Sequence, residues 1–332
     1  MAAPKSVNAQ VGFGVQVDKS TVATTGICGI QTQSGHNPQF DYNDGGDVEH
    51  SCYAISRPTS TKAVDDPSGV IHAWSIGGRL YPDLLPLIFI GGGCKAVATS
   101  PKNHRLTIAG ENDQKYISMS HLIKHGDGDL QRTLIGCRTG EIALTAARSG
   151  ITYTASGFGL TETQDTISKT PDTNQRFAPS STEITVTIDG VSFTVNCETS
   201  VLTFTNELQT GDDRQKLTQY ERDDVPILSV DVTGSYTGLD LTKADYKLLN
   251  YDNNDAIRKT RPTGSITTTY KTLGATPYTF TYHCPLVQFT SGEFEANGSD
   301  SILFDLSWQM VDAPGGGDPF ELTVTNEVAS YY

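Results

Sequence analysis

Between Ile227 and Asn253 the apolar and polar positions follow two periods in succession. Val230, Val232 and Tyr236 share one parity, with Asp231, Thr233 and Ser235 between them, the alternation of a strand with one wet face. Gly238 interrupts it. Thr242 then stands where an N-cap belongs, and Asp245 takes the place of the capping-box glutamate. Leu241, Ala244, Leu248 and Leu249, with Tyr246 beside them, recur at helical spacing until Asn253-Asn254. The stretch predicts a strand, a glycine and a short helix.

The same order occurs upstream. Val70–Ile90 runs from an apolar strand through Gly77-Gly78 into a short apolar helix, and Gly78 and Gly238 stand 160 residues apart. A second anchor follows each helix, TGEIALTA (Thr139–Ala146) and SGEFEANG (Ser291–Gly298), with Gly140 and Gly292 at an offset of 152. Each anchor precedes another alternating stretch, Ile151–Phe158 and Ile302–Gln309. Two anchors in the same order predict a duplicated, strand-rich domain.

Elsewhere the pattern is again mostly period two. Ser6–Val17 predicts an opening strand, and KYISMSHLIKH and LQRTLIGC predict a hairpin turning at Gly126–Asp129. ITVTI and VSFTV flank Asp189-Gly190, the dipeptide of a type I′ turn. Asp18–Asp66 is rich in Gly, Ser, Asn and Asp and reads as an extended arm or insertion. Thr161–Ser181 is aperiodic with two prolines and reads as a connection. The expected organisation is a first domain at 1–165 carrying the arm at 18–66, a linker at 166–181 and a second domain at 182–332. The expected fold class is mostly β, with two tandem, sandwich- or barrel-like domains and one short helix in each.

Composition narrows the function. The 332 residues are 36% hydrophobic and 19% charged, with Thr, Ser, Gly and β-branched residues prominent. No apolar run approaches the roughly 18 to 20 residues that span a bilayer, and MAAPKSVNAQVGFG lacks the apolar core of a signal peptide. Synthesis in a cytoplasm is the expectation. Six dispersed cysteines without zinc spacing read as buried free thiols. A formal net charge of −14 argues against a protein that grips nucleic acid by its phosphates.

Candidate chemistry is sparse. The sequence holds no nucleophile elbow, HExxH, Walker loop or dinucleotide fingerprint. His125–Asp129 is explained by a hairpin tip, and Asp41–Asp47 lacks the terminal glutamate of a calcium loop. Trp74 and Trp308 fall on apolar strand phases and read as core. No catalytic residue, cofactor or metal is expected.

Taken together, SIGGRLYPDLLPLIF, SYTGLDLTKADYKLL, the double strand from GEIALTA to GITYTASGFG, the hairpin ITVTIDGVSFTVNCETSVLTFTNEL and the closing FELTVTNE resemble the tail tube proteins of long-tailed bacteriophages, in particular the two-domain kind. The resemblance covers the chain from Val70 on and leaves Asp18–Asp66 unmatched. It implies a virion protein that stacks as rings around a genome channel, with three duplicated chains in place of six single-domain ones. It also implies docking to tape measure, tail terminator and distal tail proteins, with DNA passing through without specific binding and no membrane. Alternatives are another virion protein, such as a tail terminator or decoration protein, or a carbohydrate-binding β-sandwich. In the tail tube reading the polar sides of the repeated double strands line the lumen: Glu141, Thr145, Thr152, Thr154 and Ser156 in the first copy, and Glu293, Glu295, Asp305, Ser307 and Gln309 in the second. The mixed-charge stretch Thr210–Pro226 would contact the next ring through Asp212, Asp213, Arg214, Lys216, Tyr220, Glu221, Arg222, Asp223 and Asp224.

Overall fold

The computed structural model describes residues 9–28, 40–42, 70–100, 102–123, 130–165, 167–172, 174–209, 224–251, 256–295, 303–312 and 316–331. In chain order the elements are β1 (Ala9–Val15), β2 (Thr25–Cys28), β3 (Phe40–Tyr42), β4 (Val70–Arg79), α1 (Leu85–Gly91), β5 (Cys94–Ser100), β6 (Asn103–Ile108), β7 (Ile117–Ile123), β8 (Leu130–Ala147) and β9 (Gly150–Gly159). They continue with β10 (Thr161–Thr163), β11 (Ser168–Pro171), β12 (Phe177–Ile188), β13 (Val191–Thr194), β14 (Thr199–Leu208), β15 (Ile227–Leu239), α2 (Lys243–Asn250), β16 (Thr263–Thr272), β17 (Thr279–Glu295), β18 (Leu303–Met310) and β19 (Glu321–Thr325). The protein is mostly β with two short helices, as its alternation predicts.

One wide antiparallel sheet runs β3-β4-β9-β8-β14-β15-β18-β17. Two strands are long enough to leave it and enter a second layer. The first half of β8 pairs with β7 and β10, and β7 continues to β1, β2 and the parallel β11. The first half of β17 pairs with β16 and β19, leading to β12 and β13 on one side and β6 and β5 on the other. The sheet does not close on itself.

Apolar parity dictates which face meets the core. Ile142, Leu144, Leu202, Phe204, Val232, Tyr236, Leu306 and Trp308 are all buried, each on the inner parity of its strand. The helix α1 is buried along its whole length, LPLIFIG having no polar side chain to keep in water. Its Phe89 meets Phe204 edge-on at 5.4 Å and lies 6.1 and 6.2 Å from Phe280 and Phe320, so the aromatic centre is shared by early and late elements. The helix α2 is amphipathic and buries only Leu249. Its N-terminus is the expected capping box: Thr242 Oγ1 accepts from the Asp245 backbone N–H at 3.3 Å, and the Thr242 backbone N–H donates to Asp245 Oδ2 at 3.1 Å.

The pairing pattern of the early strands returns in the late ones. β4 meets β9, β9 meets β8, β8 meets β7 and β7 meets β1. Likewise β15 meets β18, β18 meets β17, β17 meets β16 and β16 meets β12. Trp74 of β4 lies opposite Gly157 of β9, whereas Gly234 of β15, 160 residues after Trp74, lies opposite Trp308 of β18. Each indole fills the place where a Cβ on the opposite glycine would stand, 2.7 Å from Trp74 and 2.3 Å from Trp308. A register shift also falls at matching places, between Thr139 and Glu141 in β8 and between Phe289 and Ser291 in β17. These two shifts are 150 residues apart, so pairing sets Gly140 against Thr290 rather than Gly292. The two-residue difference preserves parity.

Thr161–Ser181, expected as a bare connection, contains β10, β11 and the start of β12. Short edge strands bury too little to show alternation, which is why they escaped the sequence pattern. Asp189 and Gly190 take φ of 51° and 78°, the two positive angles a type I′ turn needs. Cys94, Cys137 and Cys284 are buried free thiols and Cys197 a half-buried one. The turn at 126–129 and most of the arm at 18–66 lie outside the described residues.

Candidate functional site: a hydroxyl and carboxylate face

Opposite the buried parity, the wide sheet presents its other face in rows fixed by strand register. One row runs Ser75, Ser156, Glu141, Thr205 and Asp231 across β4, β9, β8, β14 and β15. The next runs Gly77, Thr154, Ala143, Thr203, Thr233 and Gln309. A third runs Arg79, Thr152, Thr145, Val201, Ser235, Ser307 and Ser291. Beyond it, register sets Glu293 opposite Asp305. Glu141, Thr154, Thr205, Asp231, Asp305 and Gln309 are exposed, and Thr145, Thr152, Ser156, Thr203, Thr233 and Ser307 half-buried.

Register thus gathers the predicted residues of both copies onto one sheet. Thr152, Thr154 and Ser156 stand beside Thr145, Ala143 and Glu141, and Asp305 and Ser307 beside Glu293 and Ser291. Glu293 and Glu295 are placed by backbone register alone. The sequence reading missed Thr203 and Thr205 of β14 and Thr233 and Ser235 of β15, which join the two sets into one field. The alternation of TFT and DVTGS carried that signal. The reading lacked the pairing of β14 with β8, a contact that no local pattern encodes.

Most polar contacts here are light. Gln309 Nε2 donates to Asp231 Oδ1 at 3.3 Å, Ser229 Oγ to Glu207 Oε2 at 2.9 Å, and the Gly238 backbone N–H to Asp305 Oδ1 at 3.0 Å. Within these rows the only cation is Arg79, at the rim, whose Nη1 donates to the Ser149 carbonyl at 2.9 Å. A shallow groove of about 190 Å³ lies between Ser75, Glu141 and Ser156 on this face. Small hydroxyls, carboxylates and amides at this density hold water and repel polyanions, and among the described side chains of these rows Arg79 alone carries a positive charge.

Of the mixed-charge stretch, only Asp224 to Pro226 is described. Asp224 belongs to its base: the Tyr116 hydroxyl donates to its Oδ1 at 2.5 Å. Arg138 lies 3.7 Å over the Tyr116 ring and donates to the Lys115 carbonyl. Burial lowers the Arg138 pKa, and burial together with Asp224 raises that of Tyr116. Asp212, Asp213, Arg214, Lys216, Tyr220, Glu221, Arg222 and Asp223 lie outside the described residues. Among the described residues, no three His, Cys, Asp or Glu side chains come together as metal ligands, and no helix is long and apolar enough to cross a membrane.

An open, many-stranded sheet with one wet face is the form of a β-protein that must manage its edges by pairing them. The chain belongs to the phage tail tube proteins: the model of that family matches it over residues 3–328. The family is one of structural proteins of the virion tail. Among curated proteins, none matches the chain.

Proposed function

We propose that the chain is a tail tube subunit whose three copies close a ring, with the rings stacking into the channel through which a phage genome leaves. The observation that carries this reading is the field of hydroxyls and carboxylates from Ser75 to Glu293, continuous across strands of both halves. It forms the lumen wall, and DNA passes it without being held. A half-chain duplication is the second part of the proposal. Its support is the repeated pairing order, the Trp74–Gly157 and Gly234–Trp308 pairs with large and small exchanged, and the matching register shifts. A ring of three such chains has six pseudo-equivalent units around the bore.

The stretch Thr210–Pro226, anchored at Asp224, is the axial contact between rings. Tape measure, terminator and distal tail proteins dock at the ends of the tube, and assembly follows synthesis in the bacterial cytoplasm. Electron microscopy and native mass measurement of the purified protein test this together. Wild-type protein should give tubes and a smallest closed assembly of three chains. Deleting Arg214–Arg222 should leave rings that do not stack. A closed assembly of six chains would refute the pseudo-hexamer, and full-length tubes from the deletion variant would refute the axial contact.

A further inference from the structure

β19 ends at Thr325, which pairs with Asn103 of β6 and whose Oγ1 accepts from the Thr279 N–H at 2.7 Å. Residues 326–331 follow outside any strand and are held by contacts to three turns and to His104. The Asn326 N–H donates at 3.1 Å to the carbonyl of Lys102, which stands between β5 and β6 with a left-handed φ of 68°. Glu327 accepts from Lys102 Nζ at 2.5 Å and from the hydroxyl of Tyr278, between β16 and β17. His104 Nε2 lies 2.9 Å from the Val328 carbonyl, and its ring meets that of Tyr331 edge-on at 4.8 Å. The third turn is the one before α1. There Asn326 Nδ2 donates to the Pro82 carbonyl, the Tyr331 hydroxyl to the Asp83 carbonyl and the Glu327 N–H to the Asp83 carboxylate.

Burial and charge both limit how firmly this seat holds. Of residues 326–331 only Asn326 and Tyr331 are buried, while Glu327, Ala329 and Ser330 are exposed and Val328 is half-buried. Segments held by polar contacts rather than by apolar burial open locally, ahead of the rest of the fold. Beneath the segment stand two buried carboxylates, and the Asp83 N–H donates to Asp172 Oδ2 at 2.8 Å, which fixes the two residues as neighbours. Lys102, the cation that the segment meets, is paired with Glu327 instead. Burial and the Asp172 charge outweigh the Glu327 N–H, and Asp83 is pushed up to about 6 while the segment is seated.

We propose that residues 326–331 form a proton-controlled clasp, shut over the turn before α1 while Asp83 is neutral and opening more readily once Asp83 and Asp172 both carry charge. Opening breaks the contacts to the three turns and to His104, and leaves β19 paired with β6 and β17. The direction of the pH effect follows from which state holds the proton. With the segment lifted, Asp83 meets water and returns toward the ordinary carboxylate value of 3.8. Opening therefore releases a proton and becomes easier as pH rises from about 4 to about 6. The other groups facing the clasp keep their charge state across that window or are separable by substitution. Lys102 holds Glu327 below its usual value, so it is ionised throughout. Tyr331, raised by burial, and Tyr278, raised by its hydrogen bond to Glu327, stay neutral. His104 is the remaining titratable contact, and its effect survives removal of the Asp83 carboxylate.

Hydrogen exchange of the full chain, read by mass spectrometry and corrected for the intrinsic exchange chemistry, tests the clasp. Protection across residues 326–331 should fall by about tenfold to a hundredfold from about pH 4 to about pH 7. The central strand β14, paired on both sides, is the internal reference and should remain far more protected at every pH. Asp83→Asn should remove the pH dependence of residues 326–331. Tyr331→Phe, which loses the hydroxyl but keeps Asp83, should lower protection at every pH and retain the dependence. Protection of residues 326–331 equal to that of β14 would mean that the segment opens only with the whole fold, and overturns the clasp. Wild-type protection that is the same at both ends of the range overturns it as well. A pH dependence that persists in Asp83→Asn assigns the effect to His104 and overturns control by Asp83.

Discussion

Asp83 precedes α1 at a place where the chain has few alternatives for its polar atoms. Its backbone N–H donates to Asp172 Oδ2 at 2.8 Å, its Oδ2 accepts from Asn174 Nδ2 at 2.8 Å, and its Oδ1 accepts from the Glu327 N–H at 3.2 Å. The Tyr331 hydroxyl donates to the Asp83 carbonyl at 2.9 Å, and Asn326 Nδ2 to the Pro82 carbonyl at 3.0 Å, so the C-terminal segment is seated on this turn. Burial first, then the Asp172 carboxylate, push the Asp83 pKa up to about 6. Burial raises Asp172 as well, while Lys102 and Tyr278 hold Glu327 below its usual value. Because the Asp83 pKa is raised on folding, the folded state keeps a proton the unfolded chain has released, and stability is lost as pH rises from about 4 to about 6. Asp83→Asn retains an acceptor for the Glu327 N–H and removes the charge. Its stability relative to wild type should therefore rise across that window and level off above it. Urea unfolding at a series of pH values measures the difference, and a flat difference would remove Asp83 as the source.

At the scale of the element, the paired strands show which glycines carry tertiary weight. A Cβ on Gly234 would stand 2.3 Å from the Trp308 ring and 2.6 Å from the Val201 carbonyl, whereas one on Gly190 meets nothing within 4 Å. Gly234→Ala should cost at least the roughly 1–3 kcal/mol of an overpacked core. Gly190→Ala, strained only through its positive φ, should cost about 1 kcal/mol. Equal shifts in urea midpoint would mean that Trp308 yields freely. The same contrast marks what was legible in the sequence. The capping box at Thr242, the Asp189-Gly190 turn and the parity of Ile142 and Leu144 are local and were readable. The continuity of β8 was not, because residues 133–139 are buried on both parities, while beyond the register shift at Gly140 burial alternates, with Ile142 and Leu144 inside and Glu141 outside. One 18-residue strand therefore read as two. The joint of β14 with β8 and the pairing of β11 with β2 bring together residues far apart in sequence, so only half of the polar face could be assembled before the fold was seen.

For the whole molecule, the polar face poses a question of charge. Register sets Glu293 directly opposite Asp305, a like-charge pair that strand pairing alone disfavours. The proposed lumen location supplies a reason for such a pair. Each phosphate neutralised by the wall would release counterions and hold the duplex, while carboxylates keep it away over a screening length of about 8 Å in physiological salt. Replacing Glu141, Glu293 and Glu295 with Lys reverses the charge at these positions. Glu141 is exposed, and at the register position opposite Asp305 a Lys in place of Glu293 exchanges like charge for opposite charge, an exchange worth about 0.2–1 kcal/mol across a strand pair. The substituted chain should thus be at least as stable to urea and should assemble into tubes of normal length. Genome ejection should nevertheless be slowed or stalled, most strongly at low salt, because retention by phosphate contacts falls steeply as salt rises. Stability and assembly read the fold, and ejection reads the location of the face. If correctly assembled Lys-substituted tails release their genome at the wild-type rate at every ionic strength, the face lies outside the channel and its carboxylates serve only the solvent surface.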